Sequence, residues 1–279
     1  MKKRISLTID KELLSQIDRL VDGNEIQSRS EVFDHLLRGF FQPVVDRAVL
    51  LAGGDGVRMR PFSYEIPKPL IPVNSKPVLE HMITALRDSG IKDIIICTGR
   101  LGEKIVKYFG DGSKFGVKIT YSQEKKPLGT GGALKLAQTF IGKKPFLLIH
   151  GDLLVRINFN ELIKFHQQNK GLVTMALTSV DNPQDFGMVE LQGFQVTGFV
   201  DRKLKRAKEE RVSHLVSSGI YVIEPEVFQM IPKGKKVMLE EVVFPKLITK
   251  EKLIGFPFKG PWFDLTTPKE YEKAIKKWR

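Results

Sequence analysis

The chain has 279 residues, of which 42% are hydrophobic and 28% charged, the balance of a soluble globular protein with one or two domains. Its single cysteine, Cys97, sits in the apolar run IIIC, which excludes a disulfide framework, reads as a small core residue and points to a reducing compartment. No apolar run approaches the roughly 20 residues that span a bilayer, and the basic start MKKRISLTID has neither an apolar h-region nor a cleavage site, so a cytoplasmic location is expected.

A formal charge of +13 raises the question of nucleic acid, and its distribution bears on the answer. Residues 1–42 hold seven basic and seven acidic side chains, so the whole surplus lies beyond Gln42. A surface of that kind attracts polyanionic substrates. Runs such as KLKRAK and KGKKV read as solvated lysine.

In chain order, RISLTID at residues 4–10 alternates Arg4, Ser6 and Thr8 with Ile5, Leu7 and Ile9, the pattern of a strand. DKELLSQIDRLVDG then predicts a helix capped by Asp10, with Leu13, Ile17, Leu20 and Val21 on one face and Gly23 closing it. SRSEVFDHLLRGFF predicts a second helix, capped by Ser28 or Ser30, with Val32, Leu36, Leu37 and Phe40 as its stripe. A lone strand has two open edges and two short helices offer little surface, so the unit needs a second copy. Antiparallel pairing of two such strands gives a closed two-fold dimer.

This strand-helix-helix pattern resembles the ribbon-helix-helix family over residues 3–41. The resemblance implies a homodimer, or a dimer of dimers, through residues 1–42. It also implies that the outward strand face, here Arg4, Ser6 and Thr8, is the one that enters a DNA major groove in repressors of that family. The zero net charge of residues 1–42 argues against DNA binding, so dimerisation is the favoured expectation.

Residues 43–47 read as a linker, and from residue 48 to 279 strand and helix patterns alternate. AVLLA, DIIICTG, KITYS and PFLLIHGD are apolar strands, interleaved with the helical stretches PVLEHMITALRDSG, LGEKIVKYFG and GALKLAQTF. That alternation predicts an α/β fold with a Rossmann-like, mainly parallel sheet covered on both faces. LVTMALTSV, MVELQ, VTGFVD and SSGIYVI then add a mixed extension to the sheet.

LAGGDGVRMRPFSYEIPKPLIPVNSKP follows the first of these strands. Gly53, Gly54 and Gly56 allow a tight turn with exposed amides, and Arg58 and Lys68 add positive charge, the composition of a phosphate cradle. A dinucleotide fingerprint fails because its third glycine falls at Met59, and a P-loop fails for want of Gly-Lys-Ser/Thr.

The same stretch resembles the signature of sugar-1-phosphate nucleotidylyltransferases. FGDGSKFGVKITYSQEKKPLGTGGAL, LLIHGD, FGMV, SSGIYV, LEEVVFPKL and WFDLTTPKEYEKA extend the similarity in order over residues 48–279. The resemblance implies transfer of a nucleotidyl group from a nucleoside triphosphate to a sugar 1-phosphate, most like the mannose-1-phosphate guanylyltransferases, with thymidylyl and uridylyl transfer behind. It implies nucleotide binding by Leu51, Ala52, Gly53, Gly54, Gly56, Glu124, Gly129 and Thr130, and catalytic roles for Arg58 and Lys68. Gly187, Asp201, Arg202, Ser218 and Gly219 would meet the sugar phosphate, and Asp152 and Asp264 would hold Mg²⁺. FVDRK stands where many members have Phe-Val-Glu-Lys-Pro, Val57 where threonine is usual, and His150 where asparagine is frequent. No carboxyl-terminal β-helix or fused acyltransferase is expected. The competing reading is a transcriptional regulator whose larger domain senses a nucleotide sugar.

Overall fold

The computed structural model describes residues 6–21, 23, 26–41, 45–200 and 213–278. Contacts divide the chain into two units, Met1–Val44 and Val45–Arg279.

In the first unit Asp10 caps helix α1 (Lys11–Arg19), its carboxylate accepting from the Leu13 amide at 2.8 Å. Helix α2 (Arg29–Phe41) starts after Ser28, whose hydroxyl accepts from the Glu31 amide at 3.3 Å, so Ser28 rather than Ser30 is the cap. Asp18 and Arg29 join the two helices through a fork of 2.5 and 2.8 Å. Ile17 and Val32 are buried, while Leu7, Leu13, Leu20 and Leu36 are exposed. Residues 6–10 form no strand in this single chain, because a strand's ladder bonds are all made to another strand. Arg4 and Ile5 lie outside the described residues.

The second unit runs β1 (Arg47–Ala52), the short pair β2 (Pro72–Val73) and β3 (Lys76–Pro77), α3 (Val78–Asp88), β4 (Asp93–Thr98), α4 (Gly102–Phe109), β5 (Lys118–Gln123), α5 (Gly129–Ile141) and β6 (Phe146–His150). It continues with β7 (Leu153–Val155), α6 (Phe159–Asn169), β8 (Val173–Ser179), β9 (Met188–Gln192), β10 (Gln195–Val200) and β11 (Leu215–Ile223). The last elements are α7 (Leu239–Val242), α8 (Phe244–Thr249), β12 (Leu253–Pro257), β13 (Trp262–Asp264) and α9 (Pro268–Lys277).

The large sheet has the order β5-β4-β1-β6-β11-β8-β12-β10-β9. β5, β4, β1 and β6 are mutually parallel, and from β11 onward the pairing is mixed, as the sequence predicts. Alternation along β1 explains the layers. Ala48, Leu50 and Ala52 pack with α3, α4 and α6, while Val49 packs with α5, α7 and α8 on the opposite face. Because the chain leaves β1 for β4 on one side and later returns to β6 on the other, the carboxyl end of β1 is the topological switch point. The glycine-rich loop begins there.

The sequence reading missed β7, β12 and β13. These strands have only three to five residues, too few to show a period.

Candidate active site

Steric limits shape the glycine-rich loop. A Cβ on Gly53 would lie 2.6 Å from Glu124 Oε1, and one on Gly99 would lie 2.4 Å from the Gly53 carbonyl, so the turns after β1 and β4 touch backbone to backbone. Gly56 has φ +64°, and a Cβ there would come within 2.8 Å of Ser63 Cβ and 3.1 Å of Lys68 Cγ. Its carbonyl accepts from Ser63 Oγ at 2.6 Å and from the Met59 amide at 2.8 Å. Gly54 faces open space.

A cavity of about 490 Å³ opens over this loop. Every residue that the sequence suggests for the nucleotide lines it: Leu51, Ala52, Gly53, Gly54, Gly56, Glu124, Gly129 and Thr130, together with Arg58 and Lys68. Glu124 follows β5 and accepts from the Leu128 amide at 2.9 Å. Burial pushes its carboxyl above the ordinary range; the Leu128 bond works against this and the Asp55 carboxylate adds to it. Thr130 has a different duty from the expected base contact. Its hydroxyl donates to Glu240 at 2.6 Å and accepts from the Leu239 amide at 2.9 Å. The amides of Gly131 and Gly132 both donate to the Val237 carbonyl, so the start of α5 is strapped to residues 237–240.

The charged centre lies beside this cavity. Lys68 Nζ donates to Asp152 Oδ2, and β13 pairs with β7 so that Asp264 stands opposite Leu153. The Leu265 amide donates to the Asp152 carbonyl at 3.0 Å, which fixes the two aspartate segments side by side. Burial would raise the Asp152 carboxyl, but Lys68, His150 and a backbone hydrogen bond together hold the group below its ordinary value. Asp264 moves the other way, raised by burial and by the Asp152 carboxylate. Two half-buried carboxylates that repel one another form a donor set suited to a hard cation, which takes one or two such groups and completes its shell with water and substrate phosphate oxygens. Among the described residues no cluster of three or more His, Cys, Asp or Glu side chains could hold a metal by itself.

A second cavity, about 170 Å³, is lined by Gly187, Ser218, Gly219, Asp152, Asp264 and Arg58 among others. Its floor is a bulge in β11, where the register with β8 shifts between Ser217 and Tyr221. The bulge turns Ser218 inward, and its hydroxyl donates to the Ala176 carbonyl at 2.8 Å. Gly219 follows it, buried and with φ +77°, and also lines the cavity. Gly187 is pressed against Phe199, 2.7 Å from where its Cβ would be. Asp201 and Arg202 lie outside the described residues.

Comparison with known proteins matches the nucleotidyl transferase family model to residues 47–279. The chain belongs to the nucleotidyl transferase family. A mannose-1-phosphate guanyltransferase 2 from Candida glabrata is 34% identical over 228 residues, 81% of this chain and 62% of that protein. The mannose-1-phosphate guanyltransferase of Saccharomyces cerevisiae is 33% identical over 228 residues, with the same coverage of 81% and 62%. The chain thus spans less than two thirds of the length of these relatives. Among solved structures, HddC from Yersinia pseudotuberculosis complexed with GMP-PN has a TM-score of 0.70 at 25% identity, covering 84% of this chain and 100% of that one.

In this member of the nucleotidyl transferase family, six residues line both cavities: Arg58, Thr130, His150, Asp152, Met238 and Thr266. His150 stood out in the sequence only as a departure from the family pattern. Met238 and Glu240 lie in or beside LEEVVFPKL, which carried similarity but suggested no role. Thr266 follows WFDL and donates from Oγ1 to Asp264 Oδ1. No local signal distinguishes such a hydroxyl from a helix cap.

Proposed function

We propose that the chain is a sugar-1-phosphate nucleotidylyltransferase that joins GTP to mannose 1-phosphate and releases pyrophosphate. The observation that carries this reading is the Lys68–Asp152 ion pair with Asp264 beside it, at the wall common to a larger and a smaller cavity. A triphosphate in the larger cavity and a sugar phosphate in the smaller one would bring their reacting phosphates to the same charged centre. Glu124, in the lining of the larger cavity, can accept from the N1–H and amino group of guanine. The named guanyltransferase relatives support that choice of base.

In the proposed reaction a sugar phosphate oxygen forms a bond to the α-phosphorus while the bond to the bridging oxygen breaks, and pyrophosphate leaves with the electron pair. The attacking oxygen is already anionic, so no base is required. Lys68 exchanges Asp152 for a phosphate oxygen, Arg58 meets the departing phosphates, and the loop at residues 53–56 positions the triphosphate. Asp152 and Asp264 would hold Mg²⁺, which when bound supplies positive charge to the triphosphate. Arg202 would meet the sugar phosphate.

The test is pyrophosphate release measured over a panel of nucleoside triphosphates and sugar 1-phosphates, with and without Mg²⁺. Release confined to GTP with mannose 1-phosphate, dependent on the cation, is expected. No release with any pair would overturn the assignment.

Residues 1–42 are proposed to form a ribbon-helix-helix dimer. Exposed Leu7, Leu13, Leu20 and Leu36 support this reading, since one copy leaves them without apolar cover. Ser6 and Thr8 are exposed, but the absence of net charge favours association over DNA reading.

A further inference from the structure

We infer that His150 is a specificity-determining residue that reads the hydroxyl on the sugar carbon next to the one bearing the phosphate. This rests on the reaction proposed above.

His150 is the last residue of β6, opposite Leu51 of β1, and its side chain falls on the same sheet face as Phe146 and Leu148. Phe146 and Leu148 are buried in the core on that face, whereas His150, at the strand's carboxyl end, lines both cavities. The ring is closely framed: the Tyr221 ring lies 6.1 Å away at 57°, and a Cβ on Gly219 would approach Nδ1 to 3.0 Å. Nε2 is shut off from solvent and has no hydrogen-bond partner among the described residues. Buried polar atoms are nearly always partnered, and an unpartnered one weakens the unliganded state relative to any complex that supplies a partner. A ligand hydroxyl would reach Nε2 by a turn of the ring about the soft Cβ–Cγ bond, which the contacts of the unliganded site hold in place.

The chemistry of the surroundings narrows the partner. A neutral imidazole donates at one nitrogen and accepts at the other, and a hydroxyl does both. Phosphate oxygens only accept, and the cations Lys68 and Arg58 in the lining of the larger cavity suit them. At the junction of the two cavities the ligand must be the phosphate bridge and the sugar carbons nearest it. The anomeric carbon carries the phosphate, so the first free hydroxyl is on C2. Mannose and glucose differ only in the orientation of that hydroxyl, and a fixed polar group there would select between them.

The experiment compares wild type, His150→Leu and His150→Asn with mannose 1-phosphate, glucose 1-phosphate and 2-deoxyglucose 1-phosphate, which is the 2-deoxy counterpart of both. In wild type, removing the hydroxyl should lower kcat/KM by about ten- to a hundredfold, the scale of one hydrogen bond to a site that expects it. His150→Leu should show that loss with mannose 1-phosphate and no further loss with the 2-deoxy sugar, while KM for the triphosphate stays unchanged. His150→Asn, which keeps a donor and an acceptor, should restore part of the discrimination. Equal losses by His150→Leu on all three sugars, a change confined to KM for the triphosphate, or no change at all would each overturn the inference while the transferase reading stands. Wild type that turns over no pair would remove both.

Discussion

Lys68 and Asp152, 84 positions apart in sequence, meet as an ion pair at the wall shared by the two cavities. Each neutralises a partner it would have to release for catalysis: the ammonium for phosphate, the carboxylate for the cation. Lys68→Ala therefore removes positive charge from the reacting phosphates, and kcat should fall by at least about a hundredfold, the effect of losing one electrostatic group. Steady-state pyrophosphate release measures it, and near-normal turnover would remove Lys68 from the mechanism.

Gly56→Ala is expected to damage the same centre indirectly. The added methyl has φ +64° against it and would stand 2.8 Å from Ser63 Cβ and 3.1 Å from Lys68 Cγ, so the loop and the lysine stem cannot both keep their places. Nucleotide affinity should fall along with kcat, by about tenfold or more for each positional error near the reacting atoms. Calorimetric titration with GTP reads the first effect, and an unchanged affinity would show that the loop tolerates the shift.

His166 gives the fold a pH dependence away from the active site. It joins α6 to the sheet, Nδ1 lying 2.8 Å from Thr174 Oγ1 and Nε2 3.2 Å from Glu224 Oε1. Burial pulls its pKa down to about 4 from an ordinary 6.5. The unfolded chain binds this proton near pH 6.5 and the folded chain resists it until about 4, so the stability is complete above that window and is lost as pH falls through it. The loss amounts to about 3 kcal/mol at 1.4 kcal/mol for each pH unit. Urea unfolding between pH 7.5 and 4.5 should show wild type losing stability more steeply than His166→Gln. Parallel curves would refute it.

Removing residues 1–42 should give a monomer by light scattering that still releases pyrophosphate, because every described residue lining the two cavities comes from the second unit. A folded but inactive product would instead assign the dimer a part in shaping the site.

The sequence by itself determined the framework of the second unit. Short apolar runs such as AVLLA and DIIICT, bounded by turn residues, read as strands buried on both faces, and glycines directly after the first of them mark a tight turn with exposed amides, since both signals depend on neighbouring residues alone. The residues that the motifs suggest for the nucleotide line the larger cavity, and Asp152 and Asp264 both line the smaller one. What only the tertiary structure decided is where individual polar groups point. Ser218 looked like a sugar contact, but a bulge in β11 sends its hydroxyl to Ala176. Thr130 looked like a base contact, but a segment over a hundred residues later takes its hydroxyl to Glu240. His150 had no assigned role until the fold set it in the lining of both cavities with a buried, unpartnered Nε2. A hydrogen bond depends on what lies across the fold, and no periodicity along the chain records that.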